Sequence, residues 1–84
     1  MIDPNMEKLG AILESWVVYR YPLDYPNSWV LRRQWAMKNG QVVAEVVPRA
    51  VTSSLEDARL RIPSNLVCLA RSPKDAPSIY ETWL

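Results

Sequence analysis

Arginine and aromatic side chains carry most of the chemistry that this sequence offers. Seven of its ten basic residues are arginines, and it holds four tryptophans, four tyrosines and no phenylalanine. Arginine forks hold phosphates, aromatic rings stack on bases, and both residue types are enriched where proteins meet. The residues that combine these properties cluster in the first part of the chain: Arg20, Arg32, Arg33 and Arg49, with Tyr19, Tyr21, Trp29 and Trp35. The same set would equally suit a core of rings whose edges are covered by arginine stems.

A proline-bounded loop is the strongest candidate for a recognition surface. Pro22 and Pro26 restrict the backbone of the segment between them, so its side chains can be presented at low entropic cost. Tyrosine adds a broad ring with a hydrogen-bonding tip. We predict that the binding residues of the loop are Tyr21, Asp24 and Tyr25, with Arg32 and Arg33 as further contacts. The alternative is a tight connector whose Tyr25 caps the sheet.

Residues for catalysis are scarce. The chain has no histidine, and its one cysteine, Cys68, lies in an apolar segment without an adjacent lysine, which predicts a packed thiol. Two glycines cannot form a glycine-rich phosphate loop. Acid and base chemistry would have to come from carboxylates in or beside strands and loops, namely Asp24, Glu45, Asp75 and Glu81. We expect no enzymatic activity, no catalytic residue, no metal site and no cofactor.

The dipeptide Asn39-Gly40 predicts a β-hairpin with a two-residue type I′ turn. In that register Met37 faces Val42 and Trp35 faces Ala44, because opposite residues share a face of the sheet. The core face would then consist of Trp29, Leu31, Trp35, Met37, Val42, Ala44 and Val46, interrupted only by Arg33. We therefore predict that Trp35 is buried and that Arg32, on the opposite face, is exposed.

The remaining segments predict an α+β domain of the order α-β-β-β-α-β-β. Asp3 and Pro4 start an amphipathic helix over residues 4–14, and a capping box of Ser53 and Glu56 starts a second one over 54–61. Strands are predicted over 16–21, 66–71 and 79–83 besides the two hairpin strands. A mostly antiparallel sheet of about five strands follows, with the pairing direction of strand 66–71 left open.

Size and charge point to one small domain spanning residues 1–84. The formal charge is only +1, so binding to nucleic acid or to an anionic membrane would have to be local. No apolar stretch approaches the ~18 residues of a membrane span, and the first residues lack a basic segment followed by a long apolar run, so we expect neither membrane insertion nor export. A single cysteine suits a reducing cytoplasm. The helix over 4–14 is interpreted as an appended segment that packs either on its own sheet or on a second copy, as a homodimer.

Scattered anchors link the chain to a family. They are Pro22-Leu23-Asp24-Tyr25-Pro26, Trp29-Val30, Arg32-Arg33, Trp35, Leu55-Glu56-Asp57-Ala58-Arg59, Ile62-Pro63, Leu66-Val67, Arg71, Asp75, Pro77 and Glu81-Thr82-Trp83-Leu84. Over residues 16–84 the chain resembles a group of small bacterial and phage proteins with no known activity. Where those proteins often carry a histidine before the first proline, this chain has Tyr21. The resemblance implies a free-standing protein of bacterial or mobile-element origin, and it implies no functional residue.

These observations favour a small cytoplasmic interaction protein that binds another protein through tryptophan, tyrosine and arginine contacts. The alternative is a protein that binds single-stranded nucleic acid with the arginines and rings of its sheet.

Overall fold

The computed structural model describes residues 2–69 and 71–84 and confirms the predicted α+β class. Its two helices are short, and its six strands form one antiparallel sheet. In chain order the elements are α1 (Pro4–Lys8), β1 (Ala11–Arg20), β2 (Trp29–Met37), β3 (Val42–Ala44), β4 (Ala50–Thr52), α2 (Leu55–Leu60), β5 (Cys68–Leu69) and β6 (Ile79–Trp83). The long strands β1 and β2 pair along most of their length, from Ala11 opposite Met37 to Arg20 opposite Trp29.

The sheet runs in the order β3-β2-β1-β6-β5, and β4 continues the β3 edge of β2. Strand β6 pairs antiparallel with both β1 and β5, which settles the open question of how the fifth strand is oriented. The predicted strand over 66–71 is shorter in the structure, where β5 holds Cys68–Leu69 only, although Val67 and Leu84 also exchange backbone hydrogen bonds. Ala70, also within that prediction, lies outside the described residues.

The core lies between the middle of the sheet and α2. Val18 and Leu31 stand opposite each other on β1 and β2, and both are completely buried against Ala58 of the helix. Partly buried side chains complete this layer: Trp16, Trp29, Ala50, Leu55 and Ile62. The α2 helix begins as a capped turn, but the cap is Ser54, whose hydroxyl accepts the N–H of Asp57, rather than the predicted Ser53.

The predicted helix over 4–14 is wrong beyond its first turns. Asp3 caps the helix and Pro4 opens it as expected, yet the helix ends at Lys8 and β1 begins at Ala11. Gly10 takes a φ of +106°, a conformation that glycine adopts without steric cost, and this residue turns the chain out of the helix. The apolar residues 11–13 therefore belong to a strand, whose pairing with β2 outweighs the marginal stability of a short isolated helix.

The hairpin occurs where predicted, but its loop has three residues instead of two. The N–H of Gly40 donates to the carbonyl of Met37, and the N–H of Met37 donates to the carbonyl of Gln41, each at 2.9 Å. Gly40 alone adopts positive φ, at +86°, so a turn followed by a left-handed glycine replaces the type I′ turn. Trp35 consequently faces Val43, not Ala44, and the predicted core positions Val42, Ala44 and Val46 are exposed. A shift of one residue reverses the faces of a strand.

An irregular segment separates β3 from β4 on the same edge of β2. Gln34 pairs with Ala44 and Leu31 pairs with Ala50. Five residues, 45–49, therefore lie opposite only two residues of β2, 32 and 33. The extra residues bulge outward, which leaves Val46 and Val47 exposed. The segment brings the Glu45 carboxylate into hydrogen-bonding contact with Arg33. The predicted register, with Ala44, Val46 and Arg33 on the core face, would instead place Glu45 on the opposite face.

Candidate binding site

An open cleft of about 550 Å³ lies where the end of β1 meets the loop that precedes β6. Its lining consists of Arg20, Tyr21, Leu23, Ala76, Pro77 and Ser78, and we call it the Tyr21 cleft. The N–H of Arg20 donates to the carbonyl of Ser78 at 2.7 Å, which ties the two walls together. Leu23 is fully exposed and Tyr21 is 48% exposed. Apolar side chains around a concave site are typical of a binding surface.

Aromatic rings extend the Tyr21 cleft across the end of the sheet. The ring of Trp29 lies 5.8 Å from that of Tyr21 and 4.9 Å from that of Tyr80, which it meets edge to face. A β-bulge produces this arrangement, because Val18 pairs with Glu81 while the next residue pairs with Ile79, which leaves Tyr80 as the extra residue. The guanidinium carbon of Arg20 lies 5.1 Å from the Tyr21 ring centre and 5.6 Å from that of Trp29. Cation–π attraction holds this arginine over the rings.

Tyr21 adopts an uncommon backbone conformation. Its φ is +50°, in the left-handed region that costs a residue with a Cβ atom about 1–2 kcal/mol. It also precedes Pro22, and a residue before proline prefers extended backbone. A hydrogen bond of 2.9 Å from its N–H to the carbonyl of Ser28 closes the loop and holds this conformation. Such strain is concentrated at functional sites, and here it directs a tyrosine ring into a cleft.

The other predicted binding residues lie apart from the Tyr21 cleft. Arg32 and Asp24 form an ion pair at 2.6 Å, and the Arg32 Nε atom donates to the carbonyl of Glu45 at 3.1 Å. The Arg32 side chain is only 12% exposed, so the predicted exposure of Arg32 is wrong. The carboxylate and the carbonyl that surround its charge explain its burial. Tyr25 is half-buried, and its N–H donates to the carbonyl of Pro22 within the loop.

Arg33 is the centre of a second polar site on the core face, the Arg33 cluster, formed with Asp3, Glu14, Glu45 and Arg49. The Arg33 guanidinium donates to Asp3 at 3.0 Å and to Glu45 at 2.8 Å, and it lies 3.8 Å from Glu14. Arg49 adds a contact of 3.2 Å to Glu45. The Arg33 charge also lies 5.0 Å from the ring centre of Trp35, a buried residue as predicted. The positive charge of Arg33 is therefore paired with carboxylates within the protein and is not presented to a binding partner.

Ionisation in the Arg33 cluster is shifted in the direction that stabilises ion pairs. Burial alone would raise the pKa of Glu45, but hydrogen bonds from Arg33 and the charges of Arg33 and Arg49 together lower it. The pKa of Asp3 is lowered by the N–H of Asn5 and, further, by Arg33, while burial opposes them. The pKa of Arg33 is raised, chiefly by its hydrogen bond to Glu45. The three groups therefore stay charged together at neutral pH.

The remaining candidates for chemistry are also engaged or unreactive. Glu81 is buried, and it accepts hydrogen bonds from the guanidinium of Arg59 and, at 2.8 Å, from the indole of Trp83. Cys68 is exposed rather than packed as predicted, since β5 lies at the edge of the sheet. Partial burial raises the pKa of its thiol, and the charge of Glu81 adds to the effect. Within residues 2–69 and 71–84, no group of acidic or cysteine side chains is arranged to hold a metal ion.

No family model, curated protein or solved structure matches this chain. The resemblance to small bacterial and phage proteins accordingly stays a prediction, and the site is interpreted from its own geometry. Among the helices that the structure describes, none has the length and hydropathy of a membrane span.

Sequence reasoning found Tyr21 and named Arg20 as a possible nucleic-acid contact, but it missed two of their neighbours in the cleft, Leu23 and Ser78. One signal was available, because a leucine between two prolines in a polar loop has no strand or helix to bury it. The contribution of Ser78 had no such signal, since it depends on β6 lying next to β1.

Proposed function

We propose that this protein is a non-enzymatic binding protein that holds a protein partner in the Tyr21 cleft. The observation that carries the proposal is the exposed apolar rim of the cleft, in which Leu23 stands free in solvent close to the half-exposed ring of Tyr21. Exposed aromatic and aliphatic groups around a concave site are a common basis of protein recognition. The backbone hydrogen bonds that join Arg20 to Ser78 and Tyr21 to Ser28 fix both walls before a partner binds. Preorganisation of this kind reduces the entropic cost of binding.

The proposed absence of catalysis is supported by the hydrogen bonds that the carboxylates already make and by the raised pKa of the Cys68 thiol. In the described part of the chain the partly buried carboxylates of Glu14, Glu45 and Glu81 all accept hydrogen bonds from arginine, tryptophan or backbone donors. A raised pKa makes the Cys68 thiol a poor nucleophile at neutral pH. A free cysteine also fits the reducing cytoplasm that we propose as the location of the protein.

Binding of single-stranded nucleic acid is the second candidate function. One observation favours it, since Arg20 lies over the rings of Tyr21 and Trp29, and bases stack on such platforms. The sequence-based version of this hypothesis also needed Arg32 and Arg33, yet carboxylates hold both of these side chains. Fewer arginines are left to contact phosphates, which ranks this function below protein binding.

Affinity purification from a bacterial host tests the two functions together. Tagged wild-type protein is compared with Leu23→Ser, and bound proteins and bound nucleic acids are identified in parallel. Val46→Ser is the matched control, because Val46 is an equally exposed apolar residue on the irregular segment between β3 and β4. We expect a partner protein that is lost with Leu23→Ser and retained with Val46→Ser. A specific nucleic acid lost with the same variant would reverse the ranking, and equal recovery with all three proteins would exclude the Tyr21 cleft.

Homodimer formation is a separate proposal, supported by the exposed side chains of Leu9, Ile12 and Leu13 at the beginning of β1. The residues of β1 before Trp16 have no partner on the β6 side within the described chain. Sedimentation equilibrium of wild-type protein and of Leu13→Ser tests it, because only a dimer formed at this edge would lose mass with the substitution. Equal masses would exclude dimer formation at this edge.

A further inference from the structure

The charges around the Tyr21 cleft indicate what kind of segment it binds. Arg20 is exposed, and within the described residues its guanidinium has neither a carboxylate partner nor a hydrogen-bond acceptor, although the two rings hold it in place. Arg71 does not line the cleft, but its guanidinium donates to the carbonyls of Ile79 at 2.9 Å and of the lining residue Ala76 at 3.4 Å. Arg20 is thus the one charged side chain among the described residues that line this cleft.

The two carboxylates closest in sequence to the cleft lining, Asp24 and Asp75, each have other partners. Asp24, in the loop that carries Leu23, pairs with Arg32. Asp75, next to the lining residue Ala76, accepts the N–H of Ser72 at 2.9 Å within its own turn. Among the described residues neither carboxylate pairs with Arg20, so the one charged side chain that lines the cleft is an unpaired cation, even though the formal charge of the whole chain is only +1. Electrostatic complementarity favours a partner that carries a negative charge at this position.

We propose that the Tyr21 cleft binds an acidic peptide segment, in which an apolar side chain contacts Leu23 and Pro77 and a neighbouring carboxylate pairs with Arg20. This proposal rests on the binding function proposed above and adds the chemistry of the partner. A planar guanidinium already oriented by two rings presents its N–H groups in a fixed fork, which matches the two oxygens of a carboxylate. Because the arginine is ordered before binding, little side-chain entropy is lost when the pair forms.

A peptide segment is favoured over a nucleic acid by the number of available charges. A polyphosphate chain gains affinity from many cation contacts along its length, whereas the lining of the cleft offers one arginine beside apolar side chains. One carboxylate beside one apolar side chain matches that arrangement.

Selection from a display library of random heptapeptides on the immobilised full-length protein tests the proposal. We expect enriched sequences with Asp or Glu within two positions of a large apolar residue. The best synthetic heptapeptide should bind Arg20→Gln about tenfold more weakly than wild type, the effect expected for loss of one charge-assisted hydrogen-bonded pair. Arg61→Gln is the matched control, because Arg61 is another exposed arginine with no carboxylate partner among the described residues. Arg20→Lys should retain part of the affinity, since it keeps the charge but loses the fork.

The outcomes separate this proposal from the one on which it rests. One outcome is enrichment of neutral or basic peptides whose binding is lost with Leu23→Ser but unchanged in Arg20→Gln. That result would overturn the proposal of an acidic partner and leave the cleft as a protein-binding site. Peptides that bind Leu23→Ser and Arg20→Gln as well as wild type, or no enrichment at all, would overturn both proposals. Circular dichroism of each variant confirms that the fold is intact.

Discussion

Arg33 and Glu45 are joined by three hydrogen bonds, one of which runs from the backbone N–H of Glu45 to the carbonyl of Arg33 at 3.0 Å. The backbone N–H of Arg33 donates to one oxygen of the Glu45 carboxylate at 2.9 Å, and its guanidinium donates to the other oxygen at 2.8 Å. The carboxylate thus closes a gap in the ladder that the outward bulge of residues 45–49 opens. It also compensates a positive charge that is only 12% exposed. This pair connects the irregular edge of the sheet to its core.

Replacing Arg33 should destabilise the protein severely. In Arg33→Met the carboxylates of Asp3, Glu14 and Glu45 lose their shared cation, and removal of one partner from a buried ion pair costs about 3–5 kcal/mol. Arg61→Met is the control, because Arg61 is exposed and should change stability by less than about 0.5 kcal/mol. Urea denaturation followed by tryptophan fluorescence measures both. Equal midpoints for the two variants would show that the Arg33 cluster is unimportant for stability.

The Arg33 cluster should also make the protein sensitive to acid. The pKa values of Glu45 and Asp3 are lowered in the folded state, so their contribution is complete above the unfolded values of 4.5 and 3.8 and is lost as the pH falls through the lower folded values. The melting temperature should therefore fall as the pH drops below about 4.5, and less steeply in Glu45→Gln. Glu56→Gln, which alters an exposed residue, should follow the wild-type curve. A Glu45→Gln curve parallel to wild type would contradict the assignment.

Trp35 should be among the most sensitive core positions. It is buried, and its indole N–H donates to Glu14 at 2.7 Å. Trp35→Ala should cost about 3–5 kcal/mol, which is a large share of the total stability of a domain this small. Val47→Ala, at an exposed position, should be nearly neutral. The comparison requires only thermal melts, and an unchanged melting temperature for Trp35→Ala would mean that its burial contributes little.

Removal of the first 14 residues should unfold the protein. If residues 4–14 were an appended segment, as the sequence predicts, a chain beginning at Ser15 would stay folded and lose self-association. That chain, however, lacks Asp3 and the first four residues of β1, which include Glu14. A chain beginning at Gly10 keeps β1 and Glu14, and it should remain folded with a lower melting temperature. Circular dichroism distinguishes the two results. A cooperative melt for the chain beginning at Ser15 would show that the start of β1 is dispensable.

The predicted roles of Asp24 and Tyr25 can be separated from that of Tyr21. Asp24→Ala removes a half-exposed ion pair with Arg32 and should change stability by at most about 1 kcal/mol. Neither Asp24 nor Tyr25 lines the Tyr21 cleft. We expect Tyr21→Ala to weaken binding of a selected peptide more than Asp24→Ala or Tyr25→Ala, as measured by fluorescence anisotropy. The reverse order would restore the sequence-based prediction that the middle of the loop makes the contact.

Local sequence signals were sufficient for several elements of the fold. The second helix, the strands Trp29–Met37 and Ile79–Trp83, and a turn at Asn39-Gly40 occur where the sequence predicts them, although the helix cap is Ser54 and the turn has three residues. Each depends on residues that are neighbours along the chain, namely a capping hydroxyl, β-branched and aromatic runs, and a glycine that accepts positive φ. The α+β class follows from the order of these elements.

The tertiary structure decided what depends on distant residues. Asn-Gly satisfies a two-residue turn and a three-residue turn alike, so the register, and with it the exposure of Val42, was set by pairing along the whole of β2. The segment 11–14 became a strand because β2 offered hydrogen bonds that a short helix could not match. The charge of Arg33 is compensated by Asp3, thirty positions away, and the cleft exists because β6 brings Ser78 to Arg20. Contacts of this kind are energetic consequences of the complete fold, and no local pattern encodes them.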